Sequence, residues 1–143
     1  MKVELPRWPR RLITALVLIH FGVVALHGRA HAELGVELNL FQQSFAAIVI
    51  VAAPLVAGAL LWTERWRGGL VLLCGALGGS LLFGVYHHYI LISPDHVAHL
   101  PDGGAQGLFR STALLMALTE LGGLAIGLSG LRPAARHGTD RPG

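Results

Sequence analysis

Charge is what this chain has least of. Asp, Glu, Lys and Arg make up 13% of its 143 residues, about half the ~25% of an ordinary soluble domain. So little charge cannot dress a water-facing surface, and composition points to the membrane class. There is one cysteine, Cys74, inside an apolar run. A single thiol forms no internal disulfide, and cysteine-based zinc motifs are excluded. The net charge of +3 comes from basic residues flanking apolar segments rather than from one patch, which argues against nucleic acid as a partner. Phosphate loops, dinucleotide fingerprints and nucleophile–base pairs are also missing, because the glycines lie within apolar runs and not at strand-to-helix turns.

Apolar length is what the chain has in abundance. Mean hydropathy is +0.59, and four runs predict helices over about 12–31, 40–62, 69–92 and 108–131. Each has about 20 or more residues, enough to cross a hydrocarbon core of roughly 30 Å. The expected fold is an all-α integral membrane protein, a four-helix transmembrane bundle within residues 1–131 as one domain. Residues 132–143, basic and rich in Pro and Gly, read as a disordered cytoplasmic tail. Gly75-x-x-x-Gly79 and Gly123-x-x-x-Gly127 mark faces where another helix can come close. Pro54 predicts a kink in the second helix, tolerable where a neighbour satisfies the freed carbonyl.

Basic residues gather before the first run (Lys2, Arg7, Arg10, Arg11), between the second and third (Arg65, Arg67) and after the fourth, whereas the other two connections hold only Arg29 and Arg110. The positive-inside rule then puts both termini in the cytoplasm and residues 33–39 and 93–107 outside, in a multi-pass arrangement in the plasma (inner) membrane. A rival reading takes the N-terminus as a signal peptide, with a basic start, an apolar stretch and Ala30-His31-Ala32 as the cleavage site. His20 in the middle of that stretch is unusual for such a segment.

The eight histidines carry the functional signal. On a helix, His20, His27 and His31 fall within about 20° of one line. Ionisable groups at membrane depth mark functional sites by default. At a rise of 1.5 Å per residue, His27 lies about 6 Å and His20 about 16 Å below His31, and His87 and His88 lie roughly 6–8 Å below the end of the third helix. The expected outer layer is a metal site drawn from His27, His31, His87 and His88. Because His87 and His88 point about 100° apart, at most one of them faces the shared partner. The expected inner layer is a polar pair, His20 with Glu120, faced by a ridge of Thr112, Met116 and Glu120 at i, i+4, i+8. His96 and His99 read as loop residues beside a turn set by Pro94 and Asp95.

Three functions fit these residues. The first is a transition-metal pocket near the outer face; imidazole suits copper, zinc and iron alike, so the ion stays open. Gly28 follows His27 where a zinc protease has glutamate, so that chemistry is absent. The second is a small b-type cytochrome with bis-histidine haem b. The third is a non-catalytic subunit or assembly factor of a membrane complex. The lipid bilayer is the expected partner, with a second copy or a membrane complex beside it. Histidines alone do not carry an enzyme assignment.

Overall fold

The computed structural model describes residues 7–132; the expected tail from residue 133 onward lies outside the described residues. All regular structure among the described residues is helical. Four helices are long and apolar enough to cross a membrane: α1 Arg7–Leu34, α2 Leu40–Leu60, α3 Trp66–Ile90 and α4 Gln106–Leu131. Helix α1 extends ahead of its apolar run and takes in Arg7, Arg10 and Arg11.

Two helix ends are shaped by specific residues. Gly35, at φ 65°, takes the left-handed conformation that only glycine adopts without penalty. It closes α1 with paired bonds, Val36 N–H to His31 O at 3.1 Å and Gly35 N–H to Ala32 O at 3.3 Å, the Schellman arrangement. The turn folds Val36 back onto the helix end. Asn39 opens α2 with a reciprocal cap: its side chain accepts from Gln42 N–H at 2.9 Å, and its own N–H donates to Gln42 Oε1 at 2.9 Å. Such caps satisfy donors that the first turn leaves without partners.

Pro54 does not simply kink α2. Residues Ala46–Ala52 widen into a π-helix, and Pro54 sits in the first turn of the α-helical remainder, Ala53–Leu60. Having no N–H, Pro54 gives nothing to the carbonyl four residues back, that of Ile50. His20 Nε2 lies 3.3 Å from that oxygen. Helix α3 also ends in a π-turn, Tyr86–Ile90, closed by Leu91 N–H to Tyr86 O at 2.8 Å. Such wide turns recur at functional sites.

The helices form a ring in which α4 packs along α1 and α3, and α2 packs on α3 and α1. One end is closed by a core of Ile13, Val17, Ala57, Leu61, Trp66, Leu70, Leu73 and Leu77. At the other end Ala30, Leu34, Val36, Leu100, Ala105 and Phe109 pack together. Buried polar side chains occupy the space between. The two small-residue motifs divide. Gly75 has open space around it, whereas a Cβ on Gly127 would stand 2.7 Å from Cys74 Sγ and one on Gly123 2.8 Å from Leu16 Cδ2. Of the two motifs, only the one on α4 marks a close approach, where α4 meets α1 and α3 at once. Gly127→Leu is expected to lower stability by about 1–3 kcal/mol through overpacking, whereas Gly75→Leu leaves the melting temperature in detergent near wild type. Equal shifts for the two would contradict this packing.

Candidate metal centre

The α1 stripe and the end of α3 meet inside the ring. His27, His31 and His88 are buried, at 5%, 8% and 6% exposure. Each offers one ligand atom within 4.8 Å of the others. The widened last turn of α3 carries His88, and a buried aromatic backs the three rings. The ring of Phe109, fully buried on α4, lies 4.5, 4.8 and 5.3 Å from the rings of His27, His31 and His88.

Hydrogen bonds assign the tautomers. The Thr112 hydroxyl gives its one proton to the Leu108 carbonyl at 2.7 Å, so its oxygen accepts from His27 Nδ1–H at 2.9 Å. His88 Nδ1 faces two acceptors, the Asp95 carbonyl at 3.1 Å and Asp95 Oδ1 at 3.2 Å, and must carry a proton. Both rings thus present bare Nε2 lone pairs inward, and these two nitrogens are 3.2 Å apart. Two lone pairs at that distance repel unless a cation or a proton lies between them. His31 also has acceptors at both nitrogens, Val36 O at 3.2 Å from Nδ1 and Asp95 Oδ1 at 3.3 Å from Nε2.

A divalent cation held by His27 and His88 would remove that repulsion, and His31, whose ligand atom lies within 4.8 Å of theirs, is near enough to join them. Bonds of about 2.0–2.1 Å in a tetrahedral site put ligand nitrogens roughly 3.3 Å apart, close to the His27–His88 spacing. Every Nδ1 bonds outward to a hydroxyl or carbonyl, the outer-sphere pattern that holds metal-ligating imidazoles in place. Asp95, 6% exposed, places its carboxylate beside His31 and His88. Its Oδ1 has no hydrogen-bond partner of good geometry. Two hydrogen bonds hold its loop to both neighbouring helices: Val97 N–H donates to His88 O at 3.0 Å, and the Arg110 side chain donates from Nε–H to Val97 O at 2.8 Å.

The other expected residues go elsewhere. His87 stands apart from the three, its Nδ1 3.2 Å from Gln42 Nε2 and its ring 4.3 Å from that of Phe83. The 100° separation selects His88 for the interior. His20 and Glu120 are both buried but take different partners. His20 Nδ1 is 3.2 Å from the Thr119 hydroxyl, and Ser80 donates to Glu120 Oε1. The ridge of Thr112, Met116 and Glu120 is interior throughout. His96 and His99 stay in the loop, ring centres 5.0 Å apart. Sequence reasoning missed Asp95 as a site residue, reading it as a turn former. The available signal was an acid seven residues beyond His88 in a segment that must return to α4. Comparison of the chain with models of protein families, with curated proteins and with solved structures finds no match, so the reading of its function rests on this site.

Proposed function

We propose that the chain is a multi-pass membrane protein that binds one transition-metal ion through His27, His31 and His88, with Asp95 balancing charge and orienting His88. The observation that carries the reading is the pair of facing Nε2 lone pairs, 3.2 Å apart, on rings whose Nδ1 atoms are already committed. Large apolar side chains exposed along the helices, such as Leu18, Ile48, Leu82 and Leu121, favour lipid as the surrounding solvent. The basic residues before α1 and between α2 and α3 favour an orientation with both termini in the cytoplasm and the metal near the outer face of the plasma membrane. Residues 1–131 then act as a single domain, alone, as a homo-oligomer or within a membrane complex.

Haem b finds less support than an ion. Two histidines holding a haem would need nitrogens about 4 Å apart, twice a metal–nitrogen bond of about 2 Å, with room for a macrocycle between them. His27 and His88 nitrogens are closer than that, and His31 packs edge-on against His27 with ring centres 4.8 Å apart.

Elemental analysis of protein purified in detergent tests the reading. The expected result is one transition-metal ion per chain and no Soret band. A haem spectrum would favour the cytochrome reading. Neither metal nor pigment, with co-purifying membrane proteins, would favour a non-catalytic subunit. Metal binding also requires imidazoles free of protons on Nε2, so protons and metal compete. Zinc is therefore expected to be released on strong acidification and taken up again on return to neutral pH. Zinc retained in acid would contradict histidine ligation.

A further inference from the structure

A cavity of about 180 Å³ lies against the three imidazoles. One wall is His27, His31, His88 and Asp95; the rest is formed mainly by Val24, Leu38, Ala46, Ile50, Phe83 and Met116. Resting on the metal reading above, we infer that this cavity admits a small uncharged diatomic molecule, of the dioxygen or carbon monoxide kind, to the open coordination position of the ion.

Three observations point the same way. The first is size. A water occupies about 30 Å³ of liquid, so the space holds a few small molecules and no metabolite of ordinary dimensions. The second is polarity. Outside the metal-facing wall the named side chains offer no hydrogen-bond donor, and the Met116 thioether is only a weak acceptor. The Ile50 carbonyl is already engaged by His20. An anion or hydrated ion crossing the apolar part of the cavity would give up water with no protein donor there to replace it, whereas an uncharged diatomic has little hydration to lose. The third is access. Gly28 is exposed and Val24, Leu38 and Ala46 are half-buried, so the cavity reaches the surface between α1 and α2. An apolar mouth suits molecules that dissolve in hydrocarbon.

Three imidazoles leave a fourth position free on a four-coordinate ion, as in metal sites that take an exogenous ligand. The ligand would sit between the ion and the apolar wall, shielded from water. No covalent or redox step is implied by the geometry.

The test uses full-length protein loaded with copper and reduced to Cu(I), with carbon monoxide as the probe, read by the infrared C–O stretch. Wild type is expected to give one sharp band at one equivalent per copper. Azide added to the Cu(II) form is expected to bind at least 10-fold more weakly than carbon monoxide binds the Cu(I) form. Ala46→Leu and Val24→Phe fill the cavity from α2 and α1 and are expected to lower carbon monoxide affinity at least 10-fold. Both should keep one copper per chain, which also reports that they fold. Copper retained with no carbon monoxide band, tight azide binding, or unchanged affinity in both filled variants would each overturn the cavity assignment alone. Failure of wild type to retain any metal would overturn the metal reading as well.

Discussion

His88→Ala is expected to lower metal affinity by more than about 100-fold, beyond what losing an outer-sphere partner costs. The reason is geometric. His27 and His31 sit one turn apart on α1, and only His88 brings a nitrogen from the opposite side of the ring of helices, 3.2 Å from His27 Nε2. Without it, two imidazoles from one helix remain. His87→Ala supplies the contrast. It removes an adjacent histidine of the same helix, but that ring rests on Phe83 and near Gln42, so metal affinity stays at the wild-type value. Isothermal titration of both variants with zinc decides the matter. Comparable losses in the two would mean that the ion, if bound, is not held where the buried rings converge.

Phe109→Ala is expected to cost about 3–5 kcal/mol of stability, the usual range for emptying an aromatic site. Phe109 is fully buried and touches all three imidazole rings, and it packs with Ala30, Leu34, Val36, Leu100 and Ala105 where both loops close over the bundle. Removing it takes the backing from the histidines and leaves a void beside buried polar groups. Phe109→Leu retains most of the volume and should cost about 1 kcal/mol. Thermal unfolding in detergent, with and without zinc, measures both effects. Binding to the folded state alone raises stability by mass action, so zinc should raise the wild-type melting temperature more than that of Phe109→Ala. A wild-type melting temperature in Phe109→Ala would show that the ring does not organise this end.

Much of the site was legible because helical periodicity is rigid. His27 and His31 share a face at any i, i+4 spacing, and depth counting from helix ends matched them to the end of α3. The same arithmetic required that only one of His87 and His88 face inward, without saying which. That choice needed the widened last turn of α3 and the position of α2, whose capping residue Gln42 takes His87. The His20–Glu120 pair shows where depth matching stops. Two residues at one level need not meet, and here Pro54 left a carbonyl on α2 for His20 while Ser80 on α3 reached Glu120 first. Asp95 was invisible for a different reason. A loop has no period, so nothing in its sequence tells a turn-forming acid from one folded back over three histidines.

Four long apolar helices and a set of histidines confined to a few turns follow from the sequence by itself, since both depend on local composition and on the 3.6-residue repeat. Which nitrogens face one another, which hydroxyls and carbonyls hold them, and which carboxylate balances them were decided by tertiary structure. Those contacts join residues far apart in the chain, and their distances depend on how closely α4 can approach α1 and α3 at Gly123 and Gly127. The tautomers of His27 and His88, and with them the case for a cation, exist only once Thr112 and Asp95 have been brought against the rings.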